Sequence, residues 1–494
     1  MTRFEPVIGL EVHAELLTQS KMFCGCAVVD PTFAEPNSSV CEICTGMPGT
    51  LPVINQRAVE FALRVALALN CSIAETSVFA RKNYFYPDLP KGFQISQYDL
   101  PLATNGWIEI QDASGAPSTK RVRIRRVHLE EDTGKLLHHE QHSLVDYNRS
   151  GVPLLEIVSE PDLLSVYQAR QYSLALRSLL RYLEVNSGDL QKGVLRFEAN
   201  VSVRPTGSEE LGTRTEIKNL NSFRALSRAV EYEIDRQTAL LRSGKPVVQN
   251  TVGWDEGRQV TVPQRSKEEA HDYRYLPEPD LPPLHVEAAW VDRVRAALPE
   301  LPAAKRSRFM TEYGLSAYAA GVLTADRPVA DYYEAAVESA VESENETLPL
   351  KIANWLSSDL FGLLNEADIE IDQSNVTSEA LVRLVSMVEN GRISAASGKT
   401  VLEVLFKEGG SPESIVEERG LAQLEDQASI RPIVDQVLSD NPDQLAEYLA
   451  GKAALSEWFL GQIMRATQGK ADPAAARAEL DAALLDLDEI QSSR

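Results

Sequence analysis

From Val7 to Leu16 the chain alternates without interruption. Ile8, Leu10, Val12, Ala14 and Leu16 fall on one parity, and Glu11, His13 and Glu15 fall on the other. A period of two describes a strand with one face in a core and one polar face. Over 56–70 the period changes: Val59, Leu63, Ala66 and Leu67 recur at helical spacing and predict an amphipathic helix. Strands are expected at 108–110 and 121–129, joined through the turn-rich Asp112-Ala-Ser-Gly-Ala-Pro117. The pattern then predicts a helix over 163–182, strands over 194–203 and 213–217, and a helix over 221–243 that Gly244 ends. Tyr275-Leu-Pro-Glu-Pro-Asp-Leu-Pro-Pro-Leu284 carries four prolines in seven residues. Such a segment can continue neither helix nor strand and is read as the close of a first domain. Beyond it the periodicity is nearly all helical, with Gly409-Gly410-Ser411-Pro412 as a second boundary. Pattern alone therefore predicts α+β followed by all-α.

Composition narrows this reading only at its edges. A chain of 494 residues can bury a large core in two to four domains, and 44% apolar with 24% charged residues is ordinary for a soluble globular protein. No run approaches the ~18–20 uncharged apolar residues of a membrane span. Met1-Thr-Arg-Phe-Glu-Pro6 leads straight into the first strand, so no secretory leader is expected and the expected compartment is the cytoplasm. A net charge of −23 speaks against a general nucleic-acid binder, so any RNA contact must use local basic patches. The Ala-rich segment 406–494 holds 8 basic against 17 acidic residues and fits a small helical bundle.

Candidate chemistry concentrates in the first half. Glu11 and His13 project from one strand face with Cα atoms ~6.6–6.8 Å apart, so both can reach one metal ion if a third group closes over it. An isolated Glu-x-His is more often a solvated strand face, but two further features count against that here. Glu130-Glu131-Asp132 forms an acidic cluster at a strand end, and Glu156 interrupts the apolar Pro153-Leu-Leu-Glu-Ile-Val158. A buried glutamate needs a cation or donors to offset its desolvation. Cys24-x-Cys26 and Cys41-x-x-Cys44 have the spacing of a four-cysteine structural zinc site, while Cys71 reads as a small core residue. Lys82 and Lys91 lie beside Tyr84, Phe85 and Tyr86, in a stretch able to neutralise a phosphoryl group or an RNA phosphate. Ser397-Gly-Lys-Thr400 imitates the end of a phosphate-binding loop, but Ile393 stands where that loop requires glycine.

Several of these strings together resemble one family. Leu144-Val-Asp-Tyr-Asn-Arg-Ser-Gly-Val-Pro-Leu-Leu-Glu-Ile-Val-Ser-Glu-Pro161, Ile8-Gly-Leu-Glu-Val-His-Ala-Glu-Leu16, His128-Leu-Glu-Glu-Asp-Thr-Gly-Lys135 and the stretch 81–97 are closely similar to signatures of the B-subunit family of tRNA-dependent glutamyl/aspartyl amidotransferases. Looser similarity runs through Asn354-Trp-Leu-Ser-Ser-Asp-Leu360 and Gly469-Lys-Ala-Asp-Pro473. The resemblance implies a catalytic cradle over 1–292 with a mainly antiparallel sheet like those of glutamine synthetase and the guanido kinases, and a zinc knuckle at 24–44. A helical domain over 293–405 and a YqeY-like, tRNA-contacting helical tail over 406–494 follow. It implies Mg²⁺ (or Mn²⁺) on Glu11, His13, Glu131 and Glu156, with Glu131 chosen over Glu130; three carboxylates and one imidazole suit such a hard ion. Lys82, Lys91 and Arg149 are the catalytic cations it suggests. Lys218 and Asn219 of Lys218-Asn-Leu-Asn221, together with Arg274, are candidates for contacting ATP or the tRNA 3′ end.

The implied activity is that of a carbon–nitrogen ligase. The side-chain carboxylate of mischarged Glu-tRNA(Gln) or Asp-tRNA(Asn) would be phosphorylated from ATP and then amidated. No glutaminase nucleophile is evident in the chain, so ammonia would come from a separate glutaminase, the family's A subunit. The family's small C subunit would complete a heterotrimer. The rival reading is a non-catalytic tRNA-binding scaffold, which has no need of four ligands meeting at one point.

Overall fold

The computed structural model describes residues 3–30, 32–112, 118–264, 273–340, 347–422, 427–467 and 470–492. Residues 113–117 of the expected turn-rich loop, and Gly469, lie outside them. The chain forms two compact units, Met1–Ala304 and Lys305–Arg494.

The first unit is built on a mixed sheet. Its strands in chain order are β1 (Phe4–Glu15), β2 (Ser72–Ile73), β3 (Thr76–Ser77), β4 (Ala80–Asn83), β5 (Phe93–Ser96), β6 (Ala103–Gln111), β7 (Thr119–Glu131) and β8 (Lys135–His138). They continue as β9 (Ser143–Asp146), β10 (Pro153–Ser159), β11 (Leu195–Pro205), β12 (Thr215–Leu220), β13 (Asn250–Asp255), β14 (Val260–Pro263), β15 (Leu276–Pro277) and β16 (Leu284–His285). Nine of them form one sheet in the order β14-β13-β12-β11-β1-β10-β7-β6-β2. Among the described residues of this sheet only the β12–β13 pair is parallel.

The alternation in β1 is realised as written. Ile8, Leu10, Val12 and Ala14 are at most 1% exposed and share one apolar core with α1 (Gln56–Ala68), α2 (Val166–Tyr182) and α3 (Phe223–Arg242). Each helix starts on a side chain that accepts a first-turn amide: Asn55 from Ala58, Ser165 from Gln168 and Ser222 from Ala225. With one face of β1 committed to that core, its other parity is left for polar residues.

Two expectations are corrected by packing. The proline-rich segment does not close the first unit. Leu276 and Pro277 pair with Arg81 and Ala80 as edge strand β15, and β16 pairs with β3. An edge position tolerates a proline because one side of the strand needs no ladder donor. Arg81 locks the turn by giving two 2.8 Å hydrogen bonds to the Glu278 carboxylate, and the unit runs on through α4 (Ala288–Ala296), which packs on α1.

Nor is the glycine pair a border. Gly409 and Gly410 turn the chain at φ of +71° and +101°, and the helix Pro412–Glu418 packs back on Ser378–Glu389 and Ala395–Glu408. A separate apolar core begins later, with Ile430, Val434, Phe459, Ile463, Leu480 and Leu484. In the phosphate-loop imitation, Ser394 caps the helix Ala395–Glu408, and a Cβ on Gly398 would come within 2.9 Å of the Trp355 ring. That glycine is there for packing.

Candidate functional site

Three neighbouring strands place an imidazole, a carboxylate and a second imidazole side by side. His13 on β1 is directly opposite Glu156 on β10, and Glu156 is directly opposite His128 on β7. Glu11 sits opposite Glu198 on β11, and Glu130 is the next residue on the His128 face of β7. Strand alternation puts all of them on the polar side of the sheet. His13 Nε2 is 3.4 Å from Glu156 Oε2, 3.7 Å from Glu11 Oε1 and 3.8 Å from Glu130 Oε1. His128 Nε2 is 3.4 Å from Glu156 Oε2 and 3.9 Å from Glu130 Oε2. Glu11, His13 and Glu156 form one triad with ligand atoms within 4.8 Å of one another; His128, Glu130 and Glu156 form a second. Groups gathered this closely, with ligand atoms within 4.8 Å of one another, could converge on one hard divalent ion.

The electrostatics fit a missing positive charge. Glu130, Glu156 and His128 are all buried. Burial pushes the Glu130 carboxyl up to about 7, with Glu156 adding to the rise. Burial also works against ionising Glu156, but His128, His13 and Lys82 hold it well below the usual carboxylate range. For His13 burial disfavours the cation, and Glu156, Glu11 and Glu198 still hold it up at about 9. His128 is pushed down to about 4 by burial, and its Nδ1 has no hydrogen-bond partner among the described residues. Burial works against the Lys82 ammonium on β4, but the Glu130 and Glu156 carboxylates hold it above the ordinary lysine value, so it stays charged. A divalent cation would relieve this excess of carboxylate.

The choice of Glu131 over Glu130 is corrected here. β7 extends through both residues, so they point to opposite faces. Glu131 pairs with Lys91 and accepts the Ile95 amide at 2.9 Å, away from His13. Lys91 goes with it: it pairs with Glu131 and lines a cavity of about 200 Å³ with Cys24, Cys44, Glu131 and Glu278. Arg149 donates to the Thr133 and Gly134 carbonyls at 2.9 and 3.0 Å and lies 3.8 Å from Asp132, which ties it to the loop after β7. Lys218 donates to Glu198 at 2.6 Å and so borders the site from the β12 side. Asn219 and Arg274 both adopt left-handed backbone, at φ of +63° and +45°, and the Arg274 carbonyl accepts from Asn83. Sequence reading did not single out His128, weighed Glu130 but chose Glu131, and missed Glu198. The signal for the first two was present: His128-Leu-Glu130 has the same two-residue spacing as Glu11-Val-His13.

A second cluster joins Cys24, Cys26, Cys41 and Cys44. Cys44 Sγ lies 3.9, 3.8 and 3.6 Å from the sulfurs of Cys24, Cys26 and Cys41. Four sulfurs ~2.3 Å from a tetrahedral centre would be ~3.8 Å apart. The fully buried Lys21 sets its ammonium 3.8 Å from Cys44 Sγ, and the Cys41 amide donates to the same sulfur at 3.1 Å.

A carboxylate–imidazole centre on the polar face of a mixed sheet, with a charged lysine beside it, gives the first unit the form of a catalytic domain. A family model described as the GatB/GatE catalytic domain matches residues 6–292, and one described as the GatB domain matches 331–484. Chains named as the B subunit of aspartyl/glutamyl-tRNA(Asn/Gln) amidotransferase are similar almost end to end. That of Thermoanaerobacter sp. (strain X514) is 51% identical over 95% of this chain and 97% of its own length. That of Moorella thermoacetica (strain ATCC 39073 / JCM 9320) is 52% identical over the same shares, and that of Roseiflexus sp. (strain RS-1) is 51% identical over 96% and 97%. The chain belongs to the B-subunit family of these amidotransferases. Among the described residues no helix is long and apolar enough to cross a membrane.

Proposed function

We propose that this chain carries the amidating site of a tRNA-dependent amidotransferase. ATP phosphorylates the side-chain carboxylate of tRNA-bound Glu or Asp, and ammonia then displaces phosphate to leave the amide. The observation that supports this reading best is the convergence of Glu11, His13, Glu130 and Glu156 beside Lys82. A scaffold that only held tRNA would bury these charges at a cost with nothing gained.

Glu11, His13, Glu130 and Glu156 would hold Mg²⁺ (or Mn²⁺), which when bound neutralises phosphoryl oxygens. The chain's own groups do the rest. Lys82 presents a fixed positive charge to the transferring group. Lys218 positions Glu198, and Arg126, 3.6 Å from Glu156, positions that carboxylate from the β7 side. Arg149 braces the loop at Thr133 and Gly134. Among the described residues the cysteines offer no glutaminase nucleophile: four are clustered, and burial pushes the Cys71 thiol up to about 12. Ammonia therefore comes from a separate glutaminase partner, with a third, small partner completing a heterotrimer. The test is amidation of Glu-tRNA(Gln) and Asp-tRNA(Asn) by the purified heterotrimer with ATP and glutamine. Formation of Gln-tRNA or Asn-tRNA is expected; absence of both products and of tRNA-stimulated phosphate release would reject the reading.

The cysteine cluster is proposed as a structural Zn²⁺ site. Metal analysis should give about one zinc per chain, lost in Cys41→Ser/Cys44→Ser, with that variant melting lower than the parent. Zinc-free parent protein of unchanged stability would count against the site.

The late apolar core suggests a tail that is separable at about residue 422. Truncation there should leave ATP hydrolysis by the heterotrimer intact while lowering amidation several-fold at limiting tRNA. Amidation at the full rate under that limit would show that the tail does not contact tRNA.

A further inference from the structure

A wall of four tyrosines stands beside the cation centre and has no role in the chemistry described above. Tyr84 follows β4, Tyr98 follows β5, and Tyr273 and Tyr275 lead into β15. Tyr98 and Tyr275 are stacked, with ring centroids 4.1 Å apart and planes at 7°. Tyr273 meets Tyr275 edge-on at 6.1 Å and Tyr84 at 6.0 Å. Two cations tie this wall to the centre. Lys82 Nζ lies 5.1 Å from the Tyr273 ring centroid. The Arg126 guanidinium lies 6.0 Å from the Tyr98 centroid and 3.6 Å from Glu156.

Core tyrosines in this protein look different. Tyr172, Tyr182 and Tyr333 are 0% exposed, whereas the four wall tyrosines are each half-buried. Among the described residues none of the four wall hydroxyls makes a hydrogen bond. Rings clustered face and edge, left partly open and backed by cations at a phosphoryl-handling site, are suited to a flat nucleobase, and most of all to a purine, whose larger π-face stacks more strongly than a pyrimidine's.

We propose that the tyrosine wall stacks an adenine ring next to the cation centre. The proposal rests on the function given above, in which both substrates bring an adenine to this place: ATP, and the 3′-terminal adenosine of tRNA. The experiment is amidation by the heterotrimer carrying Tyr275→Leu or Tyr98→Leu, with KM measured separately for Glu-tRNA(Gln) and for ATP. One KM should rise by about 5- to 150-fold, the range base–aromatic stacking supports, while kcat changes less. The substrate whose KM rises is the source of the adenine. Tyr275→Phe, which keeps the ring, should recover most of the lost affinity. Both KM values unchanged in the leucine variants, or a fall in kcat alone, would overturn the wall.

Saturation-transfer NMR on the unaltered chain reads the same point without a variant. AMP should receive transfer at its adenine protons and UMP far less; equal transfer, or none to either, would also overturn it. A heterotrimer that amidates nothing while AMP still receives transfer would instead reject the parent reading.

Discussion

Glu156→Gln should lower amidation by about 10²-fold or more while leaving the glutaminase rate of the partner unchanged. Glu156 is the one carboxylate common to both triads, within 3.4 Å of His13 and of His128. The substitution keeps size and shape and removes one charge, so the loss is of cation binding and of the alignment that depends on it. Removing a single group that stabilises charge in a transition state typically costs 10²–10³-fold. Measured as kcat for Gln-tRNA formation at saturating ATP, a loss under threefold would remove Glu156 from the site. A variant that fails to fold would make it a structural carboxylate.

Glu130→Gln is expected to lose activity and to gain stability in the metal-free protein. Burial raises the Glu130 carboxyl to about 7, above its unfolded value, so the folded state holds the proton more tightly. That contribution is fully present below the unfolded pKa near 4.5 and is lost as pH rises through about 7. Gln cannot ionise and avoids the loss. Metal-free Glu130→Gln should therefore be more stable than the parent at pH 8, by on the order of 1–3 kcal/mol, with the difference closing as pH falls below about 4.5. Added Mg²⁺ should raise the parent more than the variant and narrow the gap. Glu131→Gln should behave oppositely: it breaks the buried pair with Lys91, so stability falls at pH 8. A Glu130→Gln variant less stable than the parent at pH 8 without metal would show that Glu130 is not crowded by charge.

The sequence disclosed the site as far as local periodicity could carry it. β1 was legible because its two parities divide cleanly between Ile8, Leu10 and Val12 in the core and Glu11 and His13 opposite. The acidic run 130–132 was harder, since composition cannot say where a strand stops. Once β7 is seen to reach Glu131, alternation assigns Glu130 to the site and Glu131 to Lys91. Glu198 was hidden for a different reason. Its place beside Glu11 depends on the β1–β11 register, a pairing between segments almost 190 residues apart that no local pattern records. The proline-rich segment misled because proline's missing donor matters only where both edges of a strand are paired, and β15 is paired on one. The four-cysteine cluster was legible from spacing alone, because two short pairs separated by one loop have few other ways to meet.

The proposed chemistry stands or falls on whether Glu11, His13, Glu130 and Glu156 hold one divalent cation. Mn²⁺ titration followed by electron paramagnetic resonance decides this, because Mn²⁺ prefers the oxygen-rich centre to the thiolate cluster. The unaltered chain should bind one Mn²⁺ that Mg²⁺ displaces, Glu156→Gln and Glu11→Gln should each lose it, and Glu131→Gln should keep it. Equal Mn²⁺ binding by the parent and Glu156→Gln, or loss of the ion in Glu131→Gln but not in Glu130→Gln, would contradict the assignment.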